Sequence, residues 1–109
     1  MKITKKTRLL AKPVPTVVSV QQEGKPVNTV YPNALTVMSG ANLANATVKL
    51  LGTVGPDEPV DVDAEIVSAA DSEVVLKVDY TTGGFAPNNF RFKVTTGTES
   101  TEFPITWQE

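Results

Sequence analysis

The densest group of chemically capable side chains is a run of acidic residues in the middle of the sequence. Asp57 and Glu58 precede Asp61, Asp63 and Glu65, and the last three are spaced two residues apart. In a β-strand this spacing puts their carboxylates on one face, since successive side chains point to opposite sides. Carboxylate oxygens are ligands that Ca²⁺ takes, but the Asp-x-Asp-x-Asp-Gly pattern of a calcium loop is missing. We therefore expect a solvated strand face without metal or cofactor, with calcium at Asp61, Asp63 and Glu65 as the alternative.

The residue types that enzymes use most often as bases and nucleophiles are absent. The 109 residues include no His and no Cys, which removes thiol nucleophiles, thiolate metal sites and the commonest general base. Serine and threonine are plentiful, but a hydroxyl nucleophile needs a base within reach, and no Ser-x-x-Lys motif occurs. Gly83-Gly84 is not part of a phosphate-binding loop, because no Gly-Lys follows at the required spacing. These absences predict a protein that is not an enzyme.

One loop combines an exposed aromatic candidate with amide side chains. The segment Thr81–Asn89 holds Gly83-Gly84, then Phe85, and ends in Asn88 and Asn89. Glycine and asparagine favour turns, so the segment is predicted to be a loop. Phe85, Asn88 and Asn89 are candidates for partner contact, and the alternative is an aromatic residue packed within its own loop.

A second candidate binding segment opens the chain. It carries Lys2, Lys5, Lys6, Arg8 and Lys12, half of the ten basic residues, and no acidic residue precedes Glu23. From Pro13 onward there are five basic and twelve acidic residues, so residues 1–12 carry +5 and the remainder −7. A basic segment on an acidic body is typical of an association device.

Apolar residues accompany the charge in this arm. Leu9 and Leu10 supply an apolar anchor, and Pro13 and Pro15 force an extended path. We predict that residues 1–15 form a docking arm, with a disordered tail as the alternative. Nucleic acid is the less favoured partner, because the body would repel it and no aromatic residue interleaves the basic ones.

The rest of the chain, residues 16–109, has the period-two alternation of short strands and no helical period. Seven segments are predicted to be strands: Thr16–Gln21, Ala34–Ser39, Thr47–Leu51, Val60–Ser68, Glu73–Tyr80, Phe90–Thr95 and Thr101–Trp107. Val27–Tyr31 is the candidate for a further short edge segment. Gly52–Pro59 is predicted to be a loop, and Gly40 a corner with positive φ. Pro104 cannot donate to a ladder, so the last segment should be an edge strand or carry a bulge.

A single core follows from the residues predicted to point inward. They are Val18, Val20, Leu35, Val37, Leu43, Val48, Leu50, Ile66, Val74, Leu76, Val78, Phe90, Phe92, Phe103, Ile105 and Trp107. About seven short strands with regular turns predict an all-β, antiparallel β-sandwich.

The run Leu35-Thr36-Val37-Met38-Ser39-Gly40-Ala41-Asn42-Leu43 resembles the signature of IPT/TIG-type immunoglobulin-like domains. That signature reads leucine, x, isoleucine, x, glycine, x, asparagine, then leucine or phenylalanine. The resemblance covers roughly Pro15 to Gln108, and the acidic Gly52–Asp63 segment departs from it. It implies an immunoglobulin-like fold, with Thr81–Asn89 placed where recognition loops project.

The resemblance also implies a class of function. Related domains occur in bacterial surface proteins, on DNA-binding proteins of the HU type and in bacteriophage virions. We expect a non-enzymatic virion accessory protein that docks on a capsid through its arm, without a signal peptide or transmembrane segment. The alternatives are a module that binds a glycan or surface protein through the loops Thr81–Asn89 and Gly52–Pro59, and a protein associated with nucleic acid.

Overall fold

The computed structural model describes residues 14–109, and these form ten β-strands without a helix. The strands are β1 (Thr16–Gln22), β2 (Thr29–Val30), β3 (Thr36–Ala41), β4 (Thr47–Val54), β5 (Glu58–Asp63), β6 (Glu65–Ala69), β7 (Glu73–Lys77), β8 (Pro87–Thr96), β9 (Glu99–Pro104) and β10 (Thr106–Trp107). The predicted all-β fold is confirmed. The part of the chain described contains no helix long and apolar enough to span a bilayer.

The strands build two four-stranded antiparallel sheets that face each other. We call the sheet with the order β1-β3-β7-β6 sheet A, the short parallel pair of β2 and β10 sheet B, and the sheet with the order β5-β4-β8-β9 sheet C. In an immunoglobulin sandwich, strands A, B, E and D form one sheet and C, F and G the other. The strands β1, β3, β7 and β6 of sheet A correspond to A, B, E and D. In sheet C, the strands β4, β8 and β9 correspond to C, F and G, and β5 is an additional strand beside β4. The strand order is therefore immunoglobulin-like.

The core lies between the sheets, and most of the predicted inward residues are in it. Those fully buried are Val20, Leu43, Val48, Leu50, Val74, Leu76, Val78, Phe90, Phe92 and Trp107, while Ile66, Phe103 and Ile105 pack against them half-buried. Each large buried side chain contributes about 1.5–3 kcal/mol of transfer free energy. The strongest alternation, in β7 and β8, was the most dependable guide to the core.

The face assignment of β3 was wrong. Thr36 and Met38 are buried, whereas Leu35 is 58% exposed and Val37 points outward, half-buried. Thr36 tolerates burial because its hydroxyl accepts a hydrogen bond from the Gln22 amide at 2.8 Å. The inward assignment of Val18 was also wrong: it is 74% exposed, at a bulge where β1 shifts its register against β3.

The corner after β3 is built differently from the prediction. Asn42, with φ of 61°, takes the left-handed conformation, and Gly40 stays within the strand. Gly40 is needed for space, because a Cβ there would collide with the backbone carbonyl of Thr16. Leu43 does turn into the core as predicted, and its amide donates to the Asp71 carbonyl at 2.9 Å.

The middle of the chain switches sheets. Gly52–Pro59, predicted to be a loop, is the β4–β5 hairpin with its turn at residues 55–57. Val60–Ser68, predicted to be one strand, divides at Ala64: β5 pairs with β4 in sheet C, and β6 pairs with β7 in sheet A. These divisions, with β2 and β10, account for ten strands instead of about seven.

The last predicted strand also divides, and its proline lies where expected. Pro104 ends β9, an edge strand of sheet C, and Ile105 separates it from β10. The missing amide of Pro104 therefore leaves the inner ladder intact.

The strand directions give the sandwich two distinct ends. The arm-side end holds Val14 and the connections at 42–46, 70–72 and 97–98. The Phe85 end holds the turns at 23–28 and 55–57, the loop 78–86 and Glu109. Between them β4 spans eight residues, about 23 Å at about 3.3 Å per step.

Candidate functional site

The two loops singled out as binding candidates meet at the Phe85 end. The Gly55 amide donates to the Ala86 carbonyl at 3.1 Å, which ties the β4–β5 turn to the loop 78–86. The Phe85 ring covers Gly55 so closely that an added Cβ would lie 3.2 Å from Cδ1. Gly55 also has a φ of 60°, which favours glycine. Phe85 is therefore held at its base while 60% of its surface stays exposed.

Phe85 and the β4–β5 turn form the walls of an open groove with a volume of about 560 Å³. Val54, Gly55 and Pro56 form its apolar wall, and Asp57 and Glu58 provide its carboxylates. None of the ion pairs in residues 14–109 involves Asp57 or Glu58. The groove therefore offers an apolar surface beside two acidic groups that carry no cationic partner within the described domain. We call it the Phe85 groove.

The carboxylate of Glu109 anchors the other side of the same loop. Glu109 accepts hydrogen bonds from Trp107 Nε1 at 2.7 Å, from the Thr82 amide at 2.7 Å and from the Thr82 hydroxyl at 3.2 Å. The Trp107 bond holds the pKa of Glu109 below its ordinary value, against the opposing effect of burial, and the Thr82 bonds lower it further. Glu109 thus fixes the start of the loop that carries Phe85.

Three aromatic rings support this end from inside. Tyr80, Phe90 and Trp107 pack with centroids 5.7–6.2 Å apart and tilted planes, a favourable arrangement for aromatic groups. Burial raises the pKa of the Tyr80 phenol, and the charges of Glu109 and Glu58 raise it further. The negative charges of these two carboxylates therefore act on Tyr80 at this end of the domain.

The acidic run on β5 is balanced by a lysine. Lys49 Nζ lies 3.0 Å from Asp61 and 3.5 Å from Asp63, and the Asp61 hydrogen bond, followed by the charges of both aspartates, raises the pKa of Lys49. Glu65 belongs to β6, in the other sheet. Within residues 14–109, no group of three or more His, Cys, Asp or Glu side chains is arranged to hold a metal ion.

Charge is balanced between the two ends of the domain and unbalanced at the ends, where Glu58, Glu73 and Glu99 begin their strands. Lys49, Lys77, Arg91 and Lys93 share the strands with Asp61, Asp63, Glu65 and Glu102, and Arg91 pairs with Glu102 at 2.8 Å. The Phe85 end holds one basic and five acidic residues: Lys25, Glu23, Asp57, Glu58, Asp79 and Glu109. The arm-side end holds three acids, Asp71, Glu73 and Glu99. The net charges are therefore −4 and −3 at the two ends and zero between them.

Two further placements correct the predicted site. The loop 78–86 joins β7 to β8, which correspond to strands E and F, so it lies at the end opposite the B–C and F–G recognition loops. Asn88 and Asn89, predicted to be loop contacts, belong to β8, where Arg91 Nη1 donates to the Asn89 carbonyl at 3.0 Å. Phe85 alone of the three borders the groove.

The predicted arm residues Lys2, Lys5, Lys6, Arg8, Leu9, Leu10 and Lys12 lie outside the described residues. The described chain begins at Val14, whose carbonyl accepts a hydrogen bond from the Asn42 side chain at 3.2 Å. The arm therefore joins the domain at the end opposite the Phe85 groove.

Sequence reasoning missed several residues that shape this end. Glu109 and Thr82 are far apart in the chain, and no local pattern joins them. The pairing of Gly55 with Phe85 was also missed, although glycine beside proline in a predicted loop was a signal for a tight turn.

Comparisons of the chain with protein-family models, with curated proteins and with solved structures find no match.

Proposed function

We propose that this chain is a non-enzymatic structural protein that joins a larger protein assembly through its basic arm. The assembly we favour is a bacteriophage virion, in which the chain serves as a capsid accessory protein and displays an immunoglobulin-like domain of the IPT/TIG type. The observation that carries the proposal is the separation of charge, +5 on residues 1–12 against −7 on the remainder. Such separation steers and orients association between protein surfaces.

The organisation of the domain supports this proposal. Its charges balance between the two ends of the sandwich, and the excess of acid lies at the ends. The arm joins one end of the sandwich, so an arm held on a surface leaves the Phe85 end pointing away, about 23 Å farther out. A chain without His or Cys also has few routes to catalysis.

The test begins with the genes that flank this one, among which we expect a major capsid protein, and continues with co-sedimentation of the full chain with capsids built from that protein. A deletion of residues 1–12 should lose binding, and so should a variant with its five arm cations replaced by glutamine. Lys77→Gln with Lys93→Gln is the matched control, since these cations lie on the sandwich. Undiminished binding of the deletion variant would refute the proposal.

A specific observation favours one alternative, a module that binds a glycan or a surface protein through its loops. The segments Gly52–Pro59 and Thr81–Asn89 are the two loops predicted for that role, and residues of both border one groove beside Phe85. Under this alternative, Phe85→Ala should abolish ligand binding while deletion of the arm leaves it intact. The opposite pattern would exclude it.

A further inference from the structure

We propose that the surface receiving the basic arm is the Phe85 groove of a second copy of this chain, so that copies join head to tail. The inference rests on the proposed arm-docking function and adds a second partner: the arm left free at the end of a row docks on the capsid, and the other arms occupy grooves. The two complementary surfaces are the acidic, apolar groove and the basic, leucine-containing segment 2–12.

The carboxylates of the groove have no cationic partner within residues 14–109. They belong to Asp57 and Glu58, and the end of the domain that holds these residues carries −4. Lys25, the basic residue of this end, has its ammonium 4.4 Å from the centroid of the Tyr31 ring. A partner with several cations would therefore lower the electrostatic free energy of this end.

The groove also exposes apolar surface to water. Phe85 is a large exposed apolar side chain, 60% accessible, and it lies beside Val54 and Pro56. Covering such a surface contributes about 25 cal/mol for each Å² of apolar area removed from water. Leu9 and Leu10, between Arg8 and Lys12, supply aliphatic groups and positive charges in one short segment.

Chain length decides between the same copy and another copy. A fully extended chain advances at most about 3.6 Å per residue, so Leu9 can reach about 18 Å from Val14. The groove lies at the other end of β4, about 23 Å away along the strand. The leucine pair therefore falls short of the groove of its own domain, so any Phe85 groove that receives it belongs to another copy.

The resulting contact joins different surfaces of two identical chains. Such a heterologous contact leaves an arm free at one end and a groove free at the other, and it builds a ring or a row. The arm, with +5, would lie between a Phe85 end with −4 and an arm-side end with −3. Without the arm, those two ends would repel each other.

The experiment is sedimentation velocity of the full chain over a range of concentrations, at low and at high salt. The weight-average mass should exceed the 11.7 kDa of one chain at low salt and should return to that mass at high salt, because screening weakens exposed charge pairs. Asp57→Lys with Glu58→Lys should weaken association at least about tenfold, since like charges then face each other. Phe85→Ser should weaken it while leaving its salt dependence in place.

The matched control reverses two exposed acids that lie between the two ends, Asp63→Lys with Glu65→Lys, and should leave association within about threefold of the original. A charge swap gives a stricter test. A variant with Lys5→Glu, Lys6→Glu and Arg8→Glu should not self-associate, but mixing it with the Asp57→Lys, Glu58→Lys variant should restore association.

Two results would overturn the proposal. One is a monomer at every concentration and salt level. The other is self-association that depends on the arm but is unchanged by both the groove reversal and Phe85→Ser. In either case, arm-dependent co-sedimentation with capsids would leave the proposed function standing, whereas its loss would count against that function separately.

Discussion

Replacing Gln22 by leucine should destabilise the domain more than any comparable change on the same strand. Gln22 is 2% exposed, and its amide joins three parts of the chain. Nε2 donates to the Tyr31 carbonyl at 3.0 Å and to the Thr36 hydroxyl at 2.8 Å, while Oε1 accepts from the Tyr31 amide at 2.9 Å. A single buried side chain thus satisfies both backbone polar groups of Tyr31.

The expected cost follows from the groups left without partners. Leucine has a similar volume, so Gln22→Leu removes three hydrogen bonds without leaving a large cavity. An orphaned polar group costs about 1–3 kcal/mol, and the lower figure applies to Tyr31 because it is half-buried. We expect a loss of about 2–4 kcal/mol in the free energy of unfolding, a large share of the 5–15 kcal/mol typical of a domain. The melting temperature should fall by about 10–25 °C.

The assay is urea and thermal unfolding followed by circular dichroism, with Gln21→Leu as the matched control. Gln21 is the exposed neighbour, and its amide donates to the carbonyls of Gln22 and Lys25 at 2.9 and 2.6 Å. Water can replace those bonds, so the control should lose less than about 1 kcal/mol. If Gln22→Leu were no more destabilising than Gln21→Leu, the assigned role of the buried amide would be wrong.

An isosteric change gives a pH-dependent version of the same test. Gln22→Glu puts an oxygen where Nε2 donates, next to the carbonyl of Tyr31. Burial of this carboxyl would raise its pKa above the unfolded value. Its protonated form would stabilise the fold at low pH, and that stability would be lost as the pH rises through the raised pKa. The variant should therefore be closest to the original protein in acid.

Two further predictions concern the corner after β3 and the anchor of the Phe85 loop. Gly40→Ala should cost about 1–3 kcal/mol in denaturant unfolding, because the new Cβ meets the Thr16 carbonyl; an unchanged midpoint would contradict that contact. Glu109 has a lowered pKa, so its contribution to stability is present above its ordinary value of 4.5 and is lost as the pH falls through the lowered value. Glu109→Gln should remove this part of the acid dependence and shift the Trp107 indole N–H resonance, and an unmoved resonance would exclude the bond.

The sequence pattern predicted the two candidate binding loops but not their contact with each other. Gly52–Pro59 and Thr81–Asn89 were recognised as turn-rich, and Phe85 as the aromatic residue between glycine and proline. Their contact could not be foreseen, because it needs the β4–β5 hairpin and the β7–β8 connection to reach the same end of the sandwich. That depends on strand order, which turn composition does not specify.

The sequence by itself determined that this protein is all-β, that β7 and β8 bury Val74, Leu76, Phe90 and Phe92, and that its basic charge precedes an acidic domain. These features are local or compositional, so alternation and counting are sufficient to find them. Only the tertiary structure decided which face of β3 is buried, since both faces carry apolar side chains. Contacts with Gln22, Val74 and Leu76 determine that Thr36 and Met38 are the buried residues. The switch of sheets at Ala64 and the meeting of Gly55 with Phe85 were decided in the same way. Contacts between distant segments set all three, and the local period of a strand is the same for either outcome.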